Sequence, residues 1–518
     1  MTVPGLPLLT PRQMEAADRH AIDGLGVPGL ALMESAAGAC VHALLERWGR
    51  PSRVVVLAGP GNNGGDGLAI ARRLVGLGVA AEAWLPLGRA KAGADCRAQL
   101  AMAEAAGVPI HEGPPSLSSA EDSVIVDALF GTGLARPVDG PLAGLVTAAS
   151  AHRVLAVDIP SGVSGATGVV LGAAVRADIT VTFGSLKIGH VTEPGRARAG
   201  DLVLADIGIP VHQPDAPRLL DARCLAPVRD EGSASAHKGT YGHLLVLAGG
   251  PGKVGAARLT SEAALRAGAG LVTLAIPADV PVDSLATLAP EVMVERLPGR
   301  SGAFSLDSLE PALALASTRR AVALGPGIGT DPATVDFVRA FLGACGTPSV
   351  VDADGLNAMV GASWPAAGTR VVTPHPGEAA RLLDQPTTAV QTDRLAAARD
   401  LARATDSVAV LKGAGTVIAA PSGAWNNPSG NPAMGTAGSG DVLTGVVGAF
   451  LARGLPAEIA ATAGVHLHGL AGDRAAVSVG RGLVASDISR ALGPVLAAPP
   501  PDPPHAPWLT VWPAAWRP

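Results

Sequence analysis

The chain has 518 residues, and because a single hydrophobic core rarely organises more than about 250–300 residues, two domains are expected. Hydrophobic residues make up 48% of the chain, charged residues 16%, and 66 residues are glycine, which is typical of an α/β protein rather than a disordered one. The net charge of -5, without a dense Lys/Arg cluster, excludes a basic surface for nucleic acid.

The cysteines and the N-terminus bear on the compartment. The four cysteines stand far apart and have no histidine at zinc spacing nearby, so reduced thiols are predicted for Cys40, Cys96, Cys224 and Cys345. The chain does not open with a basic segment followed by an apolar run, and charges or prolines interrupt each apolar stretch before about 18 residues. These features predict a cytoplasmic enzyme with neither a signal peptide nor a membrane partner.

The first predicted elements are two helices followed by a strand. A Thr-Pro pair opens a helix over residues 10–23, and apolar residues spaced by three or four predict another over 30–48. The apolar run 54–58 predicts a buried parallel strand, which enters the glycine-rich loop 59–67 before helical periodicity resumes over 68–74. Strand, glycine loop and helix is the order that a nucleotide-binding crossover requires.

The loop over residues 59–67 follows neither the dinucleotide-binding fingerprint nor the Walker pattern. Two amides and a carboxylate, Asn62, Asn63 and Asp66, stand among its glycines instead. Glycines let the backbone approach a ligand closely. This composition therefore favours a polar ligand or a monovalent cation.

Two further predicted strands, 123–127 and 153–158, end in Asp127 and Asp158 and run into glycine-containing loops. A lone aspartate at a strand end is commonly a helix cap. Together with the loop 59–67, however, three successive strand ends present polar loops, and ligands bind at the carboxyl ends of strands in open parallel sheets. The pattern therefore predicts a site there.

These motifs resemble the NAD(P)H-hydrate epimerase family over roughly residues 10–210. The resemblance is carried by Gly59–Gly67, by Asp127 with Gly131-Thr132-Gly133, and by Asp158 with Ser161-Gly162. It implies a Rossmann-like domain, assigned to residues 1–212, that interconverts the two epimers of hydrated NADH or NADPH.

The same resemblance implies roles for individual residues. It implies that Asp66 and Asp158 are catalytic and that a potassium ion is held by Asn63, Asp127 and Ser161. It implies that the substrate is bound by Asn62, Asn63, Gly64, Gly65, Asp66, Gly131, Thr132, Gly133, Leu134, Ala135, Arg136, Pro137 and Asp158. Lys187 lies where this family keeps a lysine, although its apolar neighbours also allow a solvated side chain at a strand end.

A linker separates the two predicted domains. Residues 208–236 contain several prolines and lack sustained periodicity, so we assign a linker to 213–224 and a second domain to 225–497. Apolar runs alternating with helices and glycine-rich loops predict a second α/β fold. Its predicted strands include 244–248, 271–276, 320–324, 349–351 and 408–411.

The stretch from Gly435 to Gly445 carries the strongest chemical signal in the second domain. Apolar residues with helical spacing follow Asp441, so a helix is predicted to begin at or next to it, with glycine-loop amides at its N-terminus. Such amides and the helix dipole favour a phosphate or an oxyanion, and the same field is expected to keep Asp441 ionised as a base. A helix N-cap is the alternative role for Asp441.

Two other polar residues stand out before this stretch. His375, taken alone, is equally well read as a cap or as a buried polar residue. Lys412 stands next to a glycine after a predicted strand, which favours contact with phosphate or ribose over solvent. Together with Gly325–Gly329 and Asp352–Asn357, these motifs resemble the ribokinase-like superfamily and, within it, the ADP-dependent NAD(P)H-hydrate dehydratases, over roughly residues 225–495.

This second resemblance implies a catalytic base, Asp441, and magnesium in the dehydratase domain. The residues implied to contact the hydrate are Ala256, Gly327, His375 and Asp441. The residues implied to contact ADP are Lys412, Gly413, Ala414, Gly415, Thr416 and Gly440.

The order of the two domains resembles the bifunctional NAD(P)H-hydrate repair enzymes of bacteria. The resemblance implies that the first domain equilibrates the R and S hydrates and that the second dehydrates the S form at the expense of ADP, giving NAD(P)H, AMP and phosphate. It implies only small-molecule partners, the hydrates and ADP, and a homo-oligomer. One alternative is a vitamin or sugar kinase of the same superfamily that uses ATP, and a non-catalytic binding module is the alternative for the first domain.

The C-terminal residues 498–518 are rich in proline and contain tryptophans spaced by four, Trp508, Trp512 and Trp516. This composition predicts a flexible tail. Docking of the tryptophans as a short helix is the alternative, which Pro513 disfavours.

Overall fold

The structure is a computed structural model that describes residues 3–117, 123–229, 235–365, 367–499, 505–506 and 509–512. The chain divides into two compact units. The N-terminal unit comprises residues 7–216 with 503–517, and the C-terminal unit comprises residues 1–6 and 217–502 with 518. Among the helices in the described ranges, none is long and apolar enough to cross a membrane.

The N-terminal unit alternates strands and helices. Its strands are β1 Leu6–Leu9, β2 Arg53–Ala58, β3 Ala81–Leu85, β4 Ile110–Glu112, β5 Ser123–Ala128, β6 Arg153–Val157, β7 Ile179–Phe183, β8 Leu186–Lys187 and β9 Asp201–Ala205. Its helices are α1 Pro11–Arg19, α2 Gly29–Trp48, α3 Asn62–Gly76, α4 Ala94–Ala105, α5 Gly140–Ala149, α6 Ile188–Val191 and α7 Gly195–Ala199.

The main sheet of this unit is parallel in the order β9-β7-β6-β5-β2-β3-β4. Successive side chains of a strand point to opposite faces, so β2 contributes to two cores. Val54 and Val56 pack with residues of α2, α3 and α4, whereas Val55 and Leu57 pack with residues of α5. Helices on both faces explain the apolar strands and confirm the predicted Rossmann-like α/β fold.

The glycine-rich stretch after β2 differs from its prediction. The loop is short, since α3 begins at Asn62 and the residues through Gly67 form its first turns. A Cβ at Gly64 would lie 1.7 Å from the carbonyl oxygen of Gly59, and one at Gly67 would lie 2.6 Å from the Cβ of Ala128. The glycines therefore serve the close packing of a helix against the strand ends, and a loop through residue 67 is wrong.

The C-terminal unit repeats the alternation on a larger scale. Its strands are β10 Arg218–Leu219, β11 His243–Leu247, β12 Leu271–Pro277, β13 Met293–Leu297, β14 Ala321–Leu324, β15 Ser349–Val351, β16 Arg370–Val372, β17 Val408–Leu411, β18 Val417–Ala420 and β19 Gly423–Asn426. Its helices are α8 Val254–Arg266, α9 Leu309–Ser317, α10 Pro332–Ala344, α11 Asp354–Ala358, α12 Pro376–Leu383, α13 Thr387–Thr392, α14 Arg394–Thr405, α15 Ser439–Ala452, α16 Ala457–Val479 and α17 Ala485–Ala497.

The strands of this unit follow the order β13-β12-β11-β14-β15-β16-β17-β18-β19-β10. In this order the first seven strands, from β13 to β17 and including β12 and β11, are parallel to their neighbours. Strand β18 is antiparallel to both neighbours, and β10 is parallel to β19. Helices α9 through α14 bury one face of the sheet, and α8, α15, α16 and α17 pack with one another on the other. The predicted second α/β fold is confirmed.

The predicted linker 213–224 is divided between the two units. Ala216 is buried in a cluster with Met14 of the N-terminal unit. Leu219, in β10, pairs with Asn426 of β19, and Leu220 and Leu225 are buried. The boundary between the two units, after Ala216, lies inside the predicted linker. The segment is not exposed throughout, because its apolar side chains gain free energy from burial.

The predicted flexible tail is also wrong where the structure describes it. Strands β20 His505–Ala506 and β21 Leu509–Trp512 pair with each other, and β21 pairs antiparallel with β9, Leu509 opposite Ala205. The open edge of β9 supplies the unpaired backbone groups that attract another strand. Trp508 and Trp516 lie outside the described residues.

Candidate active sites

Asp158 is the centre of the polar cluster in the N-terminal unit. It follows β6 with a φ of 65°, a conformation that side chains other than glycine rarely adopt. Its Oδ1 lies 2.7 Å from Nζ of Lys187 and accepts a hydrogen bond of 2.9 Å from Thr182. Burial opposes the charge of Asp158, but Lys187 outweighs it and keeps the pKa of Asp158 below its usual value.

The side chain of Lys187 is buried and hydrogen-bonded rather than solvated. Its side chain is 1% exposed, and Nζ also donates to Thr182 at 2.8 Å and to the carbonyl of Phe183 at 3.1 Å. The Nδ1 atom of His190 accepts from the backbone amide of Lys187, so Nε2 carries the proton donated to the carbonyl oxygen of Asp158. Burial and the charge of Lys187 lower the pKa of His190 to about 3, which keeps this ring neutral.

Asp66, also predicted as catalytic, has a pKa shifted in the opposite direction. Its side chain is buried in the first turns of α3, and burial, followed by the charges of Asp158 and Asp18, raises its pKa well above the usual value. The surroundings therefore favour the protonated form of Asp66 and the ionised form of Asp158. Two carboxyl groups with pKa values pushed apart by their surroundings can act as a proton donor and a proton acceptor.

Asp18 is a member of this cluster that the sequence did not single out. It lies on α1, and burial and the charge of Asp158 raise its pKa to about 6 against the opposing effect of Lys187. In the sequence it looks like one more acidic residue on a polar helix. Only the packing of α1 beside the strand ends reveals its position.

The predicted potassium ligands form a second group in the same unit, in which Asp127 and Ser161 are in contact and Asn63 lies beside Gly131 of the loop that follows Asp127. Asp127 accepts from the hydroxyl of Ser161 at 2.6 Å and from its amide at 2.8 Å, and both residues are fully buried. Burial raises the pKa of Asp127 to about 6, although the bonds from Ser161 oppose this shift. The side-chain atoms Nδ2 and Oδ1 of Asn63 are both buried without a hydrogen-bond partner among the described residues.

The predicted substrate loop Gly131–Pro137 begins beside Asn63. A Cβ at Gly131 would lie 3.5 Å from Oδ1 of Asn63, and the hydroxyl of Ser161 accepts from the amide of Phe130, directly before the loop. Residues 133–137 run into a largely exposed segment. The structure thus brings the start of this loop to Asn63 but shows no contact between its end, Arg136 and Pro137, and the carboxyl groups described above.

Helix α15 forms the candidate catalytic end of the C-terminal unit. It begins at Ser439, and its N-cap is Gly438, whose φ of 87° favours glycine. Asp441 therefore lies in the first turn, where no side chain caps the helix, and the N-cap role considered for Asp441 is wrong. In the described structure the amides of Gly440 and Asp441 have no helical acceptor, as expected at a helix N-terminus.

Lys412 and Asp352 meet directly beneath this helix end. Nζ of Lys412 lies 2.6 Å from Oδ1 of Asp352, and Oδ2 of Asp352 accepts from the hydroxyl of Thr444 at 2.7 Å. A Cβ at Gly440 would lie 3.1 Å from the same Nζ, so a side chain at this position would require the ammonium group of Lys412 to move. The sequence assigns Asp352 no role, although Asp352 stands at the end of β15 as Asp127 and Asp158 stand at the ends of β5 and β6.

The ionisation of Asp441 differs from its prediction. Burial and the nearby charge of Asp352 raise its pKa to about 7, whereas Lys412 acts in the opposite direction. The helix field therefore does not keep Asp441 fully ionised at neutral pH. A pKa near 7 is nevertheless the value that suits a general base in this range.

The other predicted hydrate-binding residues lie in two places. A Cβ at Gly327 would lie 3.2 Å from the Cβ of Ala256, near the start of α8, and Thr260 of the same helix donates to the carbonyl of Asp441 at 3.0 Å. His375 is the N-cap of α12, accepting from the amide of Gly377, with a half-exposed side chain. His375 is thus a cap, and no described contact joins it to Asp441.

The predicted ADP-binding residues Lys412–Thr416 form the turn between β17 and β18. The hydroxyl of Thr416 donates to the carbonyl of Gly413 at 2.9 Å, which closes the turn. Because Lys412 reaches from this turn to the N-terminus of α15, the structure brings both parts of the predicted nucleotide site together.

These two units define a two-domain α/β enzyme with a Rossmann-like fold followed by a ribokinase-like fold. The family model described as YjeF-related protein N-terminus matches residues 29–189. The family model described as NAD(P)H-hydrate dehydratase matches residues 244–494.

Full-length relatives match both parts at once. The bifunctional NAD(P)H-hydrate repair enzyme Nnr of Moorella thermoacetica is 40% identical over 93% of this chain and 95% of its own length. The enzyme of the same name from Escherichia coli is 37% identical over 91% of this chain and 90% of its own length. The chain therefore belongs to the family of bifunctional NAD(P)H-hydrate repair enzymes, and the resemblance of its motifs to that family is confirmed.

A solved structure is similar to the second part alone. The ADP/ATP-dependent NAD(P)H-hydrate dehydratase from Bacillus subtilis is 33% identical, covers 52% of this chain and 95% of its own, and has a TM-score of 0.46.

Proposed function

We propose that this chain repairs hydrated NADH and NADPH in two steps. The N-terminal unit interconverts the R and S hydrates, and the C-terminal unit dehydrates the S form at the expense of ADP, giving NAD(P)H, AMP and phosphate. The observation that carries the proposal is Asp441, a carboxyl group of pKa about 7 beside unused helix amides, in a chain whose family acts on this substrate.

The C-terminal site supports phosphoryl transfer followed by elimination. Asp441 takes the proton of the ring hydroxyl as its oxygen attacks the terminal phosphorus of ADP, and AMP leaves. The amides of Gly440 and Asp441 stabilise the charge of the transferring group. The phosphate ester then loses phosphate from one ring carbon and a proton from the adjacent carbon, which forms the double bond of NAD(P)H. Phosphate is a far better leaving group than hydroxide, which explains the use of a nucleotide in a dehydration.

The binding roles in this proposal are those that the family resemblance implies. ADP is bound by Lys412, Gly413, Ala414, Gly415, Thr416 and Gly440, and the hydrate by Ala256, Gly327, His375 and Asp441. The described residues contain no cluster of three or more His, Cys, Asp or Glu that could hold a metal ion. Magnesium is therefore proposed to arrive with ADP, whose phosphates supply most of its ligands.

The N-terminal site supports epimerisation by a donor and an acceptor of protons. Inverting one carbon requires a bond at that carbon to break and form again, with a proton removed and returned. Asp158, whose pKa Lys187 lowers, is the acceptor, and Asp66, whose pKa burial raises, is the donor. The substrate lies between α3 and the loop Gly131–Pro137, against residues 62–66.

Potassium fits the group of Asn63, Asp127 and Ser161. The unpartnered amide oxygen of Asn63 and the buried carboxylate of Asp127 are both hard oxygen donors that a monovalent cation would satisfy. A bound cation would offset the buried charge of Asp127 and fix Asn63 beside Gly131.

Replacing potassium with tetramethylammonium should slow epimerisation at least tenfold, because the larger ion cannot fit between buried oxygens. The measurement is the rate of R-to-S conversion at constant ionic strength, with the dehydratase rate on the S hydrate as an internal control. An unchanged epimerase rate after exhaustive removal of potassium would reduce the three residues to structural turn groups.

The dehydratase rate should rise with pH through the pKa of Asp441. Below pH 7 the rate on pure S hydrate is expected to increase about tenfold per pH unit, and it should level off above pH 7. The folded state binds the carboxyl proton of Asp441 more tightly than the unfolded state does. Asp441 therefore contributes a stabilising free energy that is fully present below about pH 4 and is lost as the pH rises through 7. A rate that stays flat between pH 5.5 and 7 would contradict Asp441 as the base.

The function itself is tested with a mixture of R and S hydrates, ADP, magnesium and potassium. Restored nicotinamide absorbance and released phosphate should rise together until both epimers are consumed. A stable phosphorylated product, or activity on a vitamin or sugar with ATP instead, would overturn the proposal.

A further inference from the structure

Arg394 is a buried cation close to the turn Lys412–Thr416, and nothing above has given it a role. It opens α14 directly after the N-cap Asp393, and its side chain is 4% exposed. Nη2 donates to the carbonyl of Leu411 at 3.0 Å and to that of Lys412 at 3.1 Å, while Nη1 donates to Oε1 of Gln391 at 2.7 Å.

All of these acceptors are neutral. Among the described residues Arg394 has no carboxylate partner, and its Nε is buried without an acceptor. Burial alone lowers the pKa of Arg394 to about 10, which leaves the guanidinium charged at neutral pH. Burying a charged group whose hydrogen-bond acceptors are all neutral carbonyl oxygens costs free energy of folding. We therefore expect Arg394 to have a role that offsets this cost.

The two carbonyls lie where β17 ends and the turn begins. The guanidinium also lies against the next residue, since a Cβ at Gly413 would be 3.2 Å from Nη2 and 3.3 Å from Nη1. Gly413 has a φ of 134°, so its backbone is held in a shape that other residues rarely adopt. Arg394 therefore fixes the direction in which the chain leaves the strand.

The direction of the backbone at the end of β17 determines where the ammonium group of Lys412 lies. Its side chain starts from the residue whose carbonyl Arg394 binds and ends at Asp352 and beside Gly440. A turn in another shape would misplace both this ammonium group and the amides of residues 413–416.

We propose that Arg394 is a positioning residue that holds the turn Lys412–Thr416 in the shape that receives the phosphates of ADP. The inference rests on the proposed function of the C-terminal unit. Arg394 does not touch the nucleotide in this arrangement, and its effect passes through the backbone of Leu411 and Lys412.

Arg370 offers a matched control in the same unit. It is 3% exposed, and among the described residues its guanidinium likewise donates only to carbonyls, those of Leu342, Pro365 and Ala367. Arg370 begins β16, whereas the turn follows the carboxyl end of the parallel neighbour β17, so the two arginines serve opposite ends of the strands. Loss of either arginine removes a buried guanidinium, but only loss of Arg394 should weaken the binding of ADP.

The test compares Arg394→Met, Arg394→Lys and Arg370→Met in the full chain. Arg394→Met should raise the KM for ADP at least tenfold and change kcat on the S hydrate less than threefold. Arg394→Lys should give an intermediate rise of about threefold, because an ammonium cannot reproduce the fixed fork of donors. Arg370→Met should lower the melting temperature but leave the KM for ADP within twofold, and epimerase activity should persist in all three.

A folded Arg394→Met variant with an unchanged KM for ADP would overturn the proposal, as would an equal rise in KM in Arg370→Met. If Arg394→Met does not fold, an unchanged KM in Arg394→Lys has the same meaning. Failure of the proposed function would show in the unaltered protein as absence of ADP-dependent dehydration. Calorimetric titration of ADP into the same variants would then decide the role of Arg394 by itself.

Discussion

Replacing Asp441 with asparagine is expected to lower the rate of dehydration by about 100- to 10,000-fold, the usual loss when a general base is removed. The change is nearly isosteric, and Gly438, not Asp441, caps the helix. The amides of the first turn should therefore stay in place and continue to bind ADP.

The stability of Asp441→Asn separates the catalytic role from a structural one. Because burial raises the pKa of Asp441 to about 7, ionising it at pH 8 costs stability, and a neutral amide removes that cost. The melting temperature at pH 8 should therefore hold or rise. The measurements are turnover of the S hydrate, ADP binding and melting temperature, with epimerase activity as the internal control. Near-normal turnover in a folded, ADP-binding variant would remove Asp441 from the centre of the mechanism.

Replacing Lys187 with methionine is expected to abolish most epimerase activity and to destabilise the N-terminal unit. Lys187 and Asp158 form a buried ion pair, and removing one partner of such a pair typically costs about 3–5 kcal/mol. For a domain of this size the loss corresponds to a fall of roughly 6–20 °C in its melting transition. Without Lys187, burial would raise the pKa of Asp158, and the proton acceptor would be lost at neutral pH.

Arg47→Met is the matched control for this experiment. Arg47 pairs with Asp201 in the same unit at 3.2 Å, but its side chain is 37% exposed. Solvated pairs of this kind contribute at most about 1 kcal/mol, so both stability and epimerase activity should change little. A Lys187→Met protein with the melting temperature and epimerase rate of the unaltered chain would show that the buried pair of Lys187 and Asp158 contributes neither to stability nor to catalysis. Dehydratase activity should remain in both variants.

Much of the candidate chemistry was accessible from local sequence signals. Asp127 and Asp158 are predicted because each ends a predicted strand, and Asp441 because glycines precede it and helical periodicity follows it. Asp352 carries the same strand-end signal and could have been found with it. Asp18, Thr444 and Arg394 could not, because their partners are Lys187, Asp352 and the carbonyls of Leu411 and Lys412, far away along the chain.

The errors at the segment boundaries have a common origin. Glycines between Asn62 and Gly67 were read as a loop because glycine lowers helix propensity, yet close packing against Gly59 and Ala128 makes them necessary in a helix. The prolines predict an exposed linker segment over 213–224 and a flexible tail over 498–518. Burial of Leu219 and pairing of β21 with β9 outweighed those local preferences.

By itself, the sequence determined the two α/β folds, their order, the glycine-lined strand ends and the family, because apolar periodicity and contiguous motifs are properties of neighbouring residues. Only the tertiary structure decided in which direction the pKa of each carboxyl group moves. Asp66 and Asp158 look alike in the sequence, but Asp66 is buried without a cation beside it among the described residues, whereas Asp158 lies 2.7 Å from Lys187, so their pKa values move in opposite directions. Burial and charge pairing arise between residues distant in the chain, and no local pattern records them.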